Sequence, residues 1–158
     1  MAHQHEDRER VAKRPIEAPE VLNEAYCYDR PSAFSRGMRV EMGDYVMLFI
    51  SGTASVGAEG ESLHAGDIRK QCERMFHNVT VLLAAEGADW QDIARTTIYI
   101  ADMRDYATLN EVRCAFYDSQ GLQPYPASTC IEARICRPEL LVEMEAIAVV
   151  PAHRKPGS

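Results

Sequence analysis

Asp67-Ile68-Arg69-Lys70-Gln71-Cys72-Glu73-Arg74-Met75-Phe76-His77-Asn78-Val79-Thr80-Val81-Leu82 is where the hydrophobic rhythm of this chain changes. Ile68, Cys72, Met75, Val79 and Leu82 recur at spacings of four and three, the stripe of one apolar helix face. Asp67 is placed to cap the start, because its side chain can accept from a free first-turn N–H. Gly87 is placed to end the helix, where a left-handed residue closes the last turn. Met75 and Phe76 therefore read as core packing.

Strands flank this helix. Met38-Arg39-Val40-Glu41-Met42 alternates apolar and polar residues, as a half-buried strand does. Gly43-Asp44 is a turn signal and Tyr45–Ile50 a second strand, so the pair reads as a hairpin. Gly52 and the glycine-rich Val56–Glu61 stretch read as loop. Beyond the helix, Ala94–Ile100 is rich in β-branched residues and predicts another strand. A second helix is expected over Asp105–Ser119, with Tyr106, Leu109, Val112 and Phe116 buried and Gly121 as its stop. Two closing strands follow, Ser128–Ile135 and Leu140–Val150, taken as a hairpin whose turn contains Pro138.

The order β-β-α-β-α-β-β predicts an α+β domain with one mostly antiparallel sheet and both helices on one face. The other sheet face must also be covered. The chain has nothing left to cover it, so self-association is expected. Residues 1–30 read as an arm followed by a loosely docked segment around Val21, Leu22, Tyr26 and Tyr28. The domain proper is expected over 31–150 and a polar tail over 151–158.

Composition removes several function classes. The formal net charge of −7 over 158 residues argues against nucleic acid, whose phosphates call for a basic face. The N-terminus has no apolar run of the signal-peptide kind. No stretch reaches the roughly 20 apolar residues of a membrane span. A cytoplasmic protein is expected. Cys27, Cys72, Cys114, Cys130 and Cys136 stand singly, which suits reduced thiols. No Cys/His spacing resembles a zinc site, so neither metal nor cofactor is expected. Walker, GxGxxG, GxSxG and HExxH patterns are all absent.

What remains is Val142-Glu143-Met144-Glu145-Ala146-Ile147-Ala148-Val149, two carboxylates in an apolar strand. Residues two apart share a sheet face, so Glu143 and Glu145 point the same way. They either sit on a solvated face or pair with arginines, or one carboxyl is held at a cleft to move a proton.

Ser51-Gly52-Thr53, Asn78, Thr96–Ile100, Tyr106–Asn110, Pro126-Ala127, Cys130-Ile131-Glu132 and Val142–Val149 together resemble the Rid (YjgF-like) family across about residues 34–150. The resemblance implies a YjgF-like (chorismate-mutase-like) fold assembled as a homotrimer, with small-molecule pockets at the subunit clefts. It implies hydrolysis of reactive enamines and imines to keto acids and ammonia. Glu143 matches the family's water-handling glutamate, Ser51 and Gly52 its pocket turn, Asn110 its asparagine and Cys130 its cysteine. The family's carboxylate-binding arginine follows a Pro-Ala pair; here that place is Ser128. This chain thus resembles a branch lacking the arginine, and Arg36 or Arg39 is the expected replacement cation. Arg134 and Arg137 are expected to be poorer candidates, at the far tip of the closing hairpin. The endoribonuclease role also attached to the family is not expected, because the chain is acidic and no histidine pair suits RNA cleavage.

A second resemblance, to the C-terminal half of chorismatases, rests on Phe34-Ser35-Arg36, Phe49–Ser55, His64–Asp67 and Ile135–Glu143. It implies, as an alternative, hydrolysis of an enol-pyruvyl ether with the same glutamate as proton donor. A non-catalytic metabolite-binding trimer is the third expectation.

Overall fold

The computed structural model describes residues 10–154. Six strands form one sheet: β1 (Lys13–Pro15), β2 (Gly37–Met42), β3 (Tyr45–Ala54), β4 (Ile93–Ile100), β5 (Ala127–Glu132) and β6 (Val142–Pro151). Two helices, α1 (Ile68–Ala84) and α2 (Tyr106–Ser119), pack on one of its faces. Among the described residues no helix is long and apolar enough to cross a membrane.

The helix boundaries follow local chemistry. Asp67 accepts a 3.0 Å hydrogen bond from the Lys70 N–H at the start of α1. At its end Gly87, with φ +67°, lets Ala88 donate back to the Leu83 carbonyl. Gly121, with φ +63°, does the same for α2, where Leu122 donates to Tyr117. The expected α1 stripe is the core: Cys72, Met75, Val79 and Leu82 are fully buried. Phe76 stacks on Phe116 with ring centres 4.6 Å apart, and Trp90 meets both edge-on. Tyr106, expected in the buried face of α2, is instead exposed at the helix start.

Strand order is β1-β2-β3-β6-β4-β5, antiparallel throughout except for β4 and β5. The expected closing hairpin does not exist. β5 pairs in parallel with β4, and the chain then crosses over so that β6 enters between β3 and β4. The apolar run of β6 belongs to a central strand, and alternation alone could not say which neighbours it takes. A strand from the expected arm, β1, extends the far edge by pairing with β2. Ile16, Leu22 and Ala25 behind it are fully buried. Glu86 anchors this edge: it takes two 2.7 Å hydrogen bonds from Arg14 and one of 3.3 Å from Arg39.

Side chains in β3 and β6 alternate between the faces. Val46, Leu48, Ile50, Met144, Ala146 and Ala148 face the helices, while Phe49, Glu145 and Val149 lie on the open face, Phe49 with 39 % of its surface accessible. The face with no helix thus carries large apolar groups.

Candidate functional site

The site begins at an irregularity in β3. Ile50 pairs with Ala146 but Thr53 with Met144, so Ser51 and Gly52 share the place opposite Glu145. Such a bulge bends its strand and re-aims the groups on it. Ser51 is tied down on both sides. Its N–H donates to the Arg36 carbonyl at 3.0 Å and its hydroxyl to the Ser35 carbonyl at 2.7 Å. Gly52 is thereby laid against Glu143 of the neighbouring strand. A Cβ at residue 52 would stand 2.1 Å from Glu143 Oε1. Only glycine leaves the carboxyl room there.

Glu143 is half-buried, and burial pushes its carboxyl above the ordinary glutamate value. Arg36 pulls the other way, and Glu145 adds to the rise. Arg36 itself is only 4 % exposed. Its guanidinium lies between two rings, 5.1 Å from the centre of Tyr28 and 5.3 Å from that of Phe34. Nε donates to the Asn23 carbonyl at 3.1 Å, and the backbone N–H donates to the Glu24 carboxylate. Burial lowers the Arg36 pKa, Glu24 and Glu143 oppose that, and Arg137 adds to it. Arginine stays charged against such shifts. Arg39, the other expected replacement, points away and serves the Glu86 anchor.

These groups wall a cleft of about 780 Å³, lined among others by Tyr28, Phe34, Arg36, Gly52, Arg137 and Glu143. Arg137 corrects an expectation. With β6 inserted centrally, Glu143 lies one residue inside the strand, beside the 133–141 crossover, and Arg137 comes with that crossover. It donates to the Gly60 carbonyl and to Ser62 Oγ. Two polar residues of α1, both fully buried, hold the walls. Gln71 donates to the Glu139 carbonyl at 2.8 Å and accepts from the Leu141 N–H at 2.8 Å, fixing the entry into β6. Asn78 donates to the Ala54 and Val56 carbonyls, each at 3.0 Å, fixing the exit from β3. Gln71 escaped sequence reading, although an amide beside the apolar helix stripe is a signal of such a brace.

The remaining expected residues lie elsewhere. Ser128 pairs with Thr96 and Cys130 with Ile98, on the helix side of the sheet, whereas Glu143 pairs with Tyr99 on the open side. Ser128 is three rungs from the level of Glu143, about 10 Å along the strands, and two strands across. Asn110 on α2 accepts a 2.6 Å hydrogen bond from Arg113, and the Arg113 charge also acts on Cys130. The chain therefore gathers Arg36, Ser51, Gly52 and Glu143 in one place and Asn110, Ser128 and Cys130 in another. Among the described residues no cluster of His, Cys, Asp and Glu could hold a metal ion.

Comparison with known proteins gives this geometry a context. The family model described as endoribonuclease L-PSP matches residues 29–150. The chain is 31% identical over 110 residues to the 2-iminobutanoate/2-iminopropanoate deaminase of Escherichia coli K12, covering 70% of this chain and 83% of that protein. The crystal structure of E. coli TdcF with bound serine superposes with a TM-score of 0.70 at 29% identity, covering 87% of this chain and 98% of the other. The E. coli YjgF gene product also gives 0.70, at 27% identity and 86% and 98% coverage. The chain belongs to the L-PSP endoribonuclease family, the Rid or YjgF-like group, and carries its fold.

Proposed function

We propose that this protein hydrolyses a small reactive enamine or imine to a keto acid and ammonia, with Glu143 moving the proton. The observation that carries this reading is the Glu143 carboxyl, half-buried in the cleft, seated on Gly52 and with its pKa raised. A carboxyl whose pKa is raised by burial is a better-suited proton donor to the electron-rich carbon of an enamine. The C=C bond becomes C–H and the nitrogen an iminium. Glu143, now a carboxylate, takes a proton from water as the water oxygen adds to the iminium carbon. Collapse of the carbinolamine expels ammonia and leaves the carbonyl. Arg36, beside the acid, and Arg137, on the same cleft, are cations that an anionic substrate would meet. The name of the E. coli deaminase relative supports the reaction class.

Asn110, Ser128 and Cys130 join this site only if a second copy brings them. The open, apolar sheet face supports assembly, and a homotrimer with one cleft at each boundary is the proposed form. Ammonia release from imines generated in place by an amino-acid oxidase tests the reading. The wild type accelerates it and Glu143→Gln does not; equal inertness of both proteins sinks the proposal.

A second reading, hydrolysis of an enol-pyruvyl ether, gains from Arg137. That residue belongs to the Ile135–Glu143 stretch behind the chorismatase resemblance and lines the same cleft. Pyruvate release from chorismate separates the two chemistries. A tightly held small acid without turnover would favour a binding protein.

A further inference from the structure

The Glu143 cleft is larger and more cationic than a four-carbon imino acid calls for. At about 780 Å³ it falls in the range of sites that enclose drug-sized ligands. Arg30, Arg36 and Arg137 line it, together with Glu61, Glu139 and Glu143. Two of those three acids are turned to other work. Glu61 lies over its own loop, where its carboxylate accepts from the Glu59 N–H at 3.1 Å and leaves no room for a Cβ on Gly57. Glu139 accepts from Ser62 Oγ at 2.7 Å. Glu143 is left, and in its acid form it carries no charge.

The cations are held ready. Two arginines of the described chain are buried, Arg36 with 4 % of its surface accessible and Arg39 with 8 %. Arg39 donates to Glu41 and Glu86. Arg36 has only its Nε satisfied, by the Asn23 carbonyl, and among the described residues neither terminal nitrogen meets an acceptor. Tyr28 and Phe34 flank that head, so it is fixed before any ligand arrives. Arg137 is braced as well. Its Nη1 donates to the Gly60 carbonyl and to Ser62 Oγ, while Nε and Nη2 donate to nothing among the described residues. The two guanidinium groups are close enough for the Arg137 charge to lower the Arg36 pKa. Holding like charges together on one wall, with unused donors on both, is costly until an anion meets them.

We propose that Arg36 and Arg137 form a paired anion subsite, and that the substrate is a diacid, an imino or enamino acid with a second carboxylate at its far end. A monoacid gives two guanidinium forks one carboxylate to share, whereas a diacid gives each its own. The carboxylate next to the reacting carbon meets Arg36, whose charge also acts on Glu143. The distal one meets Arg137 on the crossover. Ala54, Val56 and Leu140 supply apolar lining for the carbon chain between them. The reaction assigned to this substrate rests on the enamine-hydrolase reading; the binding of a diacid does not.

Calorimetric titration of the whole chain with 2-oxoglutarate and 2-oxopentanoate tests it apart from turnover, because these keto acids share a five-carbon chain and differ in the distal carboxylate. The wild type should hold the diacid about tenfold to a hundredfold more tightly, the range for an added charge-assisted contact. Arg137→Gln should bring the two acids to within about threefold of each other. Arg137→Lys should keep only part of the preference, since a fork becomes a point charge. Arg69→Gln, which removes the same charge from the exposed side of α1, should keep all of it. Circular dichroism and sedimentation check that each variant retains its fold and assembly; should Arg137→Gln not fold, the Lys variant carries the comparison. A wild type that holds both acids equally, or neither, overturns the subsite, as does a preference that the Arg137 variants leave unaltered. If Glu143→Gln abolishes ammonia release from imines while the wild type shows no preference for the diacid, this inference alone falls. If the diacid preference depends on Arg137 but no imine is ever turned over, the subsite stands and the hydrolase reading falls.

Discussion

Glu143 Oε1 lies 2.1 Å from the point where a Cβ on residue 52 would stand, so the catalytic candidate occupies space that exists only because residue 52 is glycine. Gly52→Ala should swing the carboxyl off the β3 bulge. A side-chain end can move cheaply, so the stability cost should stay near 1 kcal/mol. Turnover should fall about tenfold to a hundredfold, as displacement of a reacting group does. Parallel kcat and thermal-melt measurements check this, and an unchanged kcat would show that the seat is irrelevant.

The raised Glu143 pKa sets a pH dependence. If the acid form starts the reaction, kcat should decline with rising pH along a limb lying above the ordinary glutamate value of 4.5. The sign for stability is the reverse of the usual carboxylate case. The folded state holds this proton more tightly than the unfolded state, so stability is lost as pH climbs from the unfolded value through the folded one. Glu143→Gln should therefore melt higher than the wild type at neutral pH, with the advantage fading below about pH 4.5. A melt series across pH reads it directly.

Removing the Arg36 charge should hurt folding as well as function. Arg36→Gln keeps the backbone bond to the buried Glu24 carboxylate but removes the charge acting on Glu24 and Glu143 and the Nε bond to the Asn23 carbonyl. No carboxylate lies within ion-pair distance of Arg36 among the described residues, so the cost should be that of a lost charged hydrogen bond, about 1.5–3 kcal/mol. Urea unfolding measures the loss; a cost below about 1 kcal/mol would mean that solvent already screens the group.

The far edge makes a matched test. Glu86 is 2 % exposed between Arg14 and Arg39, and Arg39 is itself buried. Glu86→Gln should cost roughly 3 kcal/mol. Arg14 is half-exposed, so Arg14→Ala should cost about 1 kcal/mol or less. The ratio of the two in chemical denaturation decides whether β1 is clamped or merely laid on.

The open sheet face predicts an oligomer. Sedimentation of the wild type should give a trimer, and Phe49→Arg, a charge placed on that face, should shift the mass toward monomer and abolish turnover with it. A wild-type monomer would leave Ser128 and Cys130 with no route to Glu143.

Much of this was legible in the sequence because periodicity reports faces. The α1 stripe, its Asp67 cap and the Gly43 and Gly87 stops all follow from residue chemistry. The pairing of Glu143 with Glu145 on one sheet face follows from alternation. Periodicity is silent on strand neighbours, so β5 and β6 read as a hairpin and Arg137 was placed at the wrong end of the sheet. The short β1 carries too few residues to alternate.

β6, the last strand of the described chain, is hydrogen-bonded on both flanks, to β3 and to β4. Until β6 is made, the ribbons β1-β2-β3 and β4-β5 have no strand joining them. Closing the sheet then waits on a strand that comes late in the sequence and makes non-local pairings on both sides. A chain stopped short of Val142 would present two raw sheet edges, the kind of exposed strand that invites aggregation.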